Sequence, residues 1–163
     1  MATASPNSIT TSTAITWLMS SPNLSTPSMA QTNKIIELAR ECLGTPFVHQ
    51  GRICGVAMDC AGVLVHVLKG LNLPYNDQKG YPCRPYKGLL EKGLSEQPHL
   101  QEILLSELSA GDVVLFRIET APRHLGIYTG ENVIHAYKDT GRVIEQSFKP
   151  WTSQLKHVYR IVE

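Results

Sequence analysis

The first 31 residues of this 163-residue chain contain no lysine or arginine. A secretory signal peptide begins with a positively charged segment, and the apolar stretch at residues 14–19 is short and interrupted by Thr16. We therefore expect no signal peptide. No apolar run approaches the ~20 residues that a spanning helix needs, so we also expect no membrane insertion.

The chain also has no large excess of positive or negative charge, since 15 Lys and Arg nearly balance 14 Asp and Glu to give a formal net charge of +1. Without a basic run, nothing in the sequence predicts nucleic-acid binding. Cysteine is scarce, with four residues: Cys42, Cys54, Cys60 and Cys83. In the absence of a signal peptide we expect them to be free thiols.

Composition divides the chain into two parts. Residues 1–31 are rich in Ser, Thr, Pro and Asn, which predicts a flexible arm, although residues 17–19 (Trp-Leu-Met) could dock locally. Residues 32–163 form one predicted domain, large enough to bury a core.

Helices come first in the predicted domain and strands follow. Thr32 or Asn33 is expected to cap a helix that ends at Gly44, and a second helix is expected over residues 60–69. Residues 47–58 are expected to form a loop, and residues 74–98, with four prolines and three glycines, a long irregular excursion that lines a binding site. Strands are predicted over residues 113–116, 125–129, 133–137, 142–146 and 157–162. This order predicts an α+β fold with an antiparallel sheet.

The candidate chemistry centres on Cys60, which lies at the start of the second helix. A helix N-terminus and a nearby imidazolium both lower the pKa of a thiol, so Cys60 is a candidate thiolate nucleophile. His124 is a candidate base, and His135 can orient it if the two strands are neighbours. His124 and His135 are separated by an odd number of residues. A simple two-residue hairpin register between their strands therefore cannot be assumed.

The remaining thiols and histidines have simpler interpretations. Cys42 and Cys83 are expected to be inert. Cys54, His49, Cys60 and His66 could be imagined as zinc ligands, but their spacing matches no common zinc pattern. We therefore expect no metal and no cofactor.

At these positions the chain resembles the NlpC-type family of cell-wall cysteine peptidases, which are papain-like in fold. The resemblance covers residues 33–162 and rests on several motifs in the family's order. These are Gly44-Thr45-Pro46-Phe47, His49-Gln50-Gly51-Arg52, Asp59-Cys60-Ala61-Gly62, Gly111-Asp112-Val113-Val114, His124-Leu125-Gly126-Ile127-Tyr128-Thr129-Gly130 and Ile134-His135-Ala136. The variant over residues 47–52 looks most like members found in phage tails.

The resemblance implies that Cys60 is the nucleophile, His124 the base and His135 the orienting residue. Phe47, Asp59 and Ala61 become the candidate substrate-binding or oxyanion residues. Many family members carry Tyr where this chain has Phe47, which cannot donate a hydrogen bond, so substrate and rate are in question. We expect Asp59 to fix the loop by accepting from backbone amides rather than to act as an acid.

The leading hypothesis is therefore a peptidoglycan or muropeptide hydrolase, because family members typically cut the D-glutamyl–diamino acid bond of stem peptides. Such a chain would act in the cytoplasm or be delivered by a carrier particle or secretion machinery through the N-terminal arm. Two alternatives stay open: a non-catalytic component of a phage-tail-like structure, and an amidase or acyltransferase acting on another small amide or ester.

Overall fold

The computed structural model describes residues 26–83 and 88–163. The expectations for residues 1–25, including docking of residues 17–19, lie outside the described residues. The predicted α+β class is confirmed, because helices pack on a six-stranded antiparallel sheet. The helices are α1 (Met29–Glu41), α2 (Cys60–Gly70) and α3 (Leu89–Ser95).

All five predicted strands are present, with bounds shifted by a few residues. Two of the remaining strands form a small hairpin and one joins an edge of the main sheet. The strands are β1 (Arg52–Ile53), β2 (Ala57–Met58), β3 (Leu100–Ile103), β4 (Val113–Ile118), β5 (Ala121–Tyr128), β6 (Asn132–Tyr137), β7 (Arg142–Ser147) and β8 (Leu155–Ile161). The main sheet has the order β3-β8-β4-β5-β6-β7, and β1 pairs with β2 apart from it.

Helix α1 begins earlier than the sequence indicated. The side chain of Ser28 accepts a hydrogen bond from the backbone N–H of Gln31 at 3.1 Å, so Ser28 caps the helix instead of Thr32 or Asn33. The helix ends at Glu41, and Gly44 follows with φ +81°, a left-handed conformation that glycine adopts without strain.

Helix α2 begins at Cys60 as predicted. The carboxylate of Asp59 accepts from the N–H of Gly62 at 2.9 Å, which satisfies one of the free amides of the first turn. The buried face of α2 packs against α1 and the sheet through Val63, Leu64, Val67 and Leu68. This packing fixes the helix start, and with it Cys60, relative to the strands.

The opposite face of the sheet carries a second apolar cluster. Phe148 and Trp151, from the turn after β7 and a short 3-10 helix (Lys149–Gln154), cover Phe116 of β4. This cluster reaches the histidines of β5 and β6, because Trp151 also contacts the rings of His124 and His135. Both faces of the sheet are thus buried around the positions that carry the histidines.

Two predictions of irregular structure were wrong in part. The segment over residues 74–98 includes α3, which buries Leu94 despite the surrounding prolines and glycines. The loop over residues 47–58 contains the β1–β2 hairpin, whose strands of two residues are too short to produce an alternating pattern. No helix among the described residues is long and apolar enough to cross a bilayer.

Candidate active site

Cys60 opens onto a cleft of about 380 Å³ between the start of α2 and the histidine-bearing end of the sheet. His124 lines the same cleft, and so do the candidate residues Phe47, Asp59 and Ala61. The backbone N–H groups of Leu125 and Ala61 donate toward the Cys60 sulfur. Since Leu125 follows His124 on β5, the sulfur lies next to the strand position of the predicted base.

Burial disfavours the thiolate form of Cys60. Burial, followed by the nearby carboxylate of Asp59, raises its pKa to about 11, and the two backbone N–H groups lower it by less. The helix start acts in the direction that the sequence indicated, because the backbone N–H of Ala61 lowers the pKa of Cys60, although the net direction is upward. The helix amides do favour the anion, but the loss of water around the sulfur outweighs them.

His124 and His135 contact each other directly. Nε2 of His124 lies 2.5 Å from Nδ1 of His135, and both residues are buried. On its far side, Nε2 of His135 lies 2.9 Å from Nε2 of the Gln146 side-chain amide on β7. The result is a chain of three polar side chains from adjacent strands, as the sequence predicted for the two histidines.

Aromatic rings surround both imidazoles. The centroid of the His124 ring lies 6.1 Å from that of Phe116, 6.0 Å from that of Tyr137 and 5.6 Å from that of Trp151. Burial lowers the pKa of His124 to about 3, with a smaller contribution from His135, and lowers that of His135 to about 4. Both imidazoles are therefore neutral at pH 7.

The hydrogen bonds determine which nitrogen of His124 can act as a base. When Nε2–H of His124 donates to Nδ1 of His135, Nδ1 of His124 is left with a free lone pair. His135 then carries its proton on Nε2, and the Gln146 amide, whose nitrogen faces His135 in the structure, must rotate by 180° so that its oxygen accepts that proton. With the amide nitrogen facing His135, Gln146 donates instead and the proton of His124 lies on Nδ1. Gln146 therefore controls the tautomer through His135.

Asp59 is the centre of a separate polar cluster. It is 3% exposed and accepts from the backbone N–H of Gln50 at 2.8 Å, in addition to that of Gly62. Arg52 Nη1 donates to Asp59 at 2.8 Å, and the hydroxyl of Tyr81 donates to the second carboxylate oxygen. This geometry is that of a carboxylate that fixes the loop before α2, as expected from the sequence.

Comparison with protein-family models identifies the chain. The model of the NlpC/P60 family matches residues 44–160, which span all the residues of the cleft described above. The chain belongs to the NlpC/P60 family.

Relatives and solved structures agree with this assignment. The chain is 33% identical over 93 residues to the murein DD-endopeptidase MepS/murein LD-carboxypeptidase of Escherichia coli K12, a match that covers 53% of this chain and 50% of that protein. The chain thus spans about half the length of the curated relatives it matches.

Solved structures share the fold at low identity. A lipoprotein-like NLP/P60 protein of Staphylococcus aureus Mu50 superposes with a TM-score of 0.65 at 19% identity, covering 88% of this chain and 45% of that one. The NlpC/p60 domain of the peptidoglycan hydrolase SagA gives 0.55 at 21% identity, covering 80% and 98%. The peptidoglycan hydrolase RipB of Mycobacterium tuberculosis gives 0.61 at 16% identity, covering 82% and 66%.

Two residues of this NlpC/P60 site had no role assigned from the sequence. Gln146 lies on β7 two positions beyond Ile144, the residue paired with His135, so strand alternation in the correct register would have placed it on the same face. Tyr81 comes from the proline-rich segment and brings a phenol into the cleft that Phe47 lines. Its hydroxyl donates to Asp59 and accepts from Arg52, so its proton is already used within the Asp59 cluster.

The candidate histidines 49 and 66 lie in different places. His49 lines the cleft with Cys60, where its Nε2 contacts the backbone oxygen of Tyr81 at 2.9 Å, and His66 contacts Glu41. Within the part of the chain that the structure describes, neither forms a metal-ligand group with Cys60. The roles of Phe47 and Ala61 in substrate binding stay predictions that rest on their position in the cleft.

Proposed function

We propose that this chain is a cysteine hydrolase that cleaves an amide bond in peptidoglycan stem peptides. The observation that carries the proposal is the cleft in which the Cys60 thiol lies beside β5, with His124 backed by His135 and Gln146. A nucleophile, a base and a group that orients the base are the parts that thiol-based acyl transfer needs.

The raised pKa of Cys60 and the lowered pKa of His124 favour a neutral pair in the resting protein. As the scissile carbonyl enters, Nδ1 of His124 takes the thiol proton and the sulfur attacks the carbonyl carbon. The protonated His124 then gives that proton to the leaving amine as the C–N bond breaks, which leaves a thioester on Cys60. Water attacks the thioester carbonyl while His124 takes a proton from the water. The C–S bond then breaks, the carboxylic acid leaves, and His124 returns the proton to the Cys60 sulfur.

The cleft also fits the charges of a stem peptide. It is lined by basic residues, Arg123 and Lys138, and by acidic ones, Glu119 and Asp139. Stem peptides present both carboxylates and amines, so charges of both signs can bind such a substrate. Arg123 is held by Glu119 at 2.8 Å, which gives its guanidinium a fixed position at the rim.

The bond we propose is the D-glutamyl–diamino acid bond. The E. coli relative is named instead as a DD-endopeptidase and LD-carboxypeptidase, so the products of digestion must be identified rather than assumed.

A finer part of the proposal concerns delivery, in which residues 1–31 connect the domain to a carrier particle or secretion machinery. Deleting residues 1–25, which keeps Ser28 and all of α1, should then abolish delivery while hydrolysis of purified muropeptides continues.

The experiment is digestion of peptidoglycan and soluble muropeptides by the purified chain and by its Cys60→Ala variant, with products read by mass spectrometry. We expect stem-peptide fragments from the unmodified chain alone, because only the sulfur can form the acyl-enzyme. Product formation is the criterion, because it reports the acyl-transfer reaction itself. Absence of products from every muropeptide tested, with the chain folded, would contradict the proposal and favour a structural component.

A further inference from the structure

A second group of potential ligands lies on another part of the domain. Cys42 follows the C-terminus of α1, Cys54 lies in the β1–β2 hairpin, and His66 is in the middle of α2. Their ligand atoms all lie within 4.8 Å of one another. The cleft that contains Cys60 and His124 is lined by a different set of residues.

A fourth potential ligand adjoins these three. The carboxylate of Glu41 lies 2.9 Å from Nε2 of His66, and the backbone oxygen of Glu41 accepts from the Cys54 thiol at 3.2 Å. The Glu41 carboxylate thus lies next to His66, whereas Cys54 contacts only the Glu41 backbone, and the carboxylate is not among the three ligand atoms that lie within 4.8 Å of one another. Two thiols, one imidazole and one carboxylate form a ligand set that zinc accepts.

The spacing is close to what a bound ion requires. Around a tetrahedral Zn²⁺, ligand atoms at 2.0–2.3 Å from the metal lie roughly 3.3–3.8 Å from each other. Ligand atoms within 4.8 Å need inward shifts of about 1 Å or less, which rotations of the partly exposed Cys54 and His66 side chains can supply while Cys42 stays in place. The half-exposed Glu41 side chain can rotate to bring its carboxylate to the same ion. Cys42 is fully buried, whereas His66 is partly exposed and Glu41 is half exposed, so an ion can enter from the solvent side.

We propose that Cys42, Cys54, His66 and Glu41 form a structural site for Zn²⁺. Binding converts two thiols to thiolates with release of two protons to solvent, and His66 binds the metal as a neutral imidazole. The ion would connect α1, the β1–β2 hairpin and α2, the helix whose first residue is Cys60. This proposal is independent of the hydrolytic activity, and it departs from the expectation of no metal.

Sequence spacing explains why the group was not predicted. Cys42, Cys54 and His66 lie twelve positions apart in succession, and none belongs to a Cys-x-x-Cys pair. Only the packing of α1 and the hairpin against α2 brings them together. Of the four zinc ligands considered from the sequence, Cys54 and His66 are retained here, and His49 and Cys60 lie elsewhere.

The test uses the full chain carrying Cys60→Ala, which removes the cleft thiol as a competing ligand. Metal content is measured after dialysis in reductant against metal-free buffer containing a defined amount of Zn²⁺, and affinity by competition with a chromophoric chelator. We expect one zinc per chain and a rise in Tm over the chelator-treated protein. Cobalt substitution should give the thiolate-to-cobalt charge-transfer absorption that identifies sulfur ligands.

Added to that background, Cys54→Ser and His66→Gln should each weaken zinc binding by at least about 100-fold, because loss of an outer-shell partner alone costs roughly 10–100-fold. Cys83→Ser is the matched control, since Cys83 is an exposed thiol of the cleft, and it should leave the affinity unchanged. Circular dichroism in chelator checks that the variants fold.

The proposal is overturned if the parent chain retains no zinc, or if cobalt binds without thiolate absorption. It is also overturned if Cys54→Ser and His66→Gln bind zinc as tightly as the parent, or if a Cys42–Cys54 disulfide persists in reductant. The cobalt spectrum of the parent chain decides the matter even where a variant fails to fold.

Discussion

Gln146 contacts His135 on the side that faces away from His124. Because the two histidines are buried and neutral, their protons can be arranged in two ways along the chain of hydrogen bonds. In one arrangement Nδ1 of His124 is free to accept a proton, and in the other it carries one. The partner at the end of the chain therefore selects between an active and an inactive base.

Replacing Gln146 should alter catalysis without removing any reacting group. In Gln146→Leu the amide is lost and Nε2 of His135 has no side-chain acceptor, so we expect kcat/KM on a muropeptide to fall about 10- to 100-fold, mainly in kcat. Gln146→Glu supplies a carboxylate that accepts from His135 and favours the active tautomer. It should retain more activity than the Leu variant.

The pH profile separates this role from a structural one. The carboxylate in Gln146→Glu stabilises protonated imidazole, so the acid limb of kcat/KM should move to higher pH. A simple loss of packing would lower the rate at every pH and leave the limb in place. If Gln146→Leu cleaved muropeptides at the unmodified rate, Gln146 would have no part in orienting the base.

At the scale of elements, the approach of β5 to β6 depends on a glycine. Gly126 lies on β5 between His124 and the paired residue Ile127, where the β6 backbone comes close. A Cβ at position 126 would lie 2.6 Å from Cγ2 of Val133, 2.9 Å from the backbone oxygen of Ile134 and 3.2 Å from Cβ of His135. The two strands could not approach as they do with a larger residue there.

We predict that Gly126→Ala lowers the free energy of unfolding by about 1–3 kcal/mol, as overpacking typically does, and reduces activity further by displacing His135. Gly93→Ala in α3 is the matched control, because its Cβ would meet only the side chain of Gln78 and alanine favours a helix by about 1 kcal/mol. Urea unfolding and muropeptide cleavage measure both effects. Equal stability of the two variants would contradict the steric argument.

Local signals explain which elements could be predicted. Strands β4 to β8 could be identified because they carry apolar runs separated by turn residues. The start of α2 could be identified because Asp59, a residue type that caps helices, comes directly before it. Helix α3 was missed because Gly88 precedes it and prolines flank the segment. The contacts of His135 with Gln146 and of Cys54 with Glu41 join distant segments, and local sequence patterns carry no information on such pairs.

At the scale of the whole molecule, two clusters of side chains hold the two sides of the cleft in place. The Asp59 cluster fixes the start of α2, and the aromatic cluster fixes the imidazoles on the sheet, so the cleft lies between two rigid parts. Such burial has an energetic cost, because the imidazoles must stay neutral inside while the same side chains can be protonated in the unfolded chain.

This cost predicts how stability depends on pH. The pKa values of His124 and His135 are lowered to about 3 and about 4, so below about pH 6.5 the unfolded chain binds protons that the folded chain does not. Stability contributed by the two neutral histidines is fully present above pH 6.5 and is lost as the pH falls toward 4, by up to about 1.4 kcal/mol per pH unit for each histidine. Urea unfolding from pH 7.5 to 4.5 measures the slope. A His124→Gln, His135→Gln double variant should show a flatter dependence between pH 6.5 and 5, where carboxylates contribute little, and an unchanged slope would mean that the histidines are not buried as neutral groups.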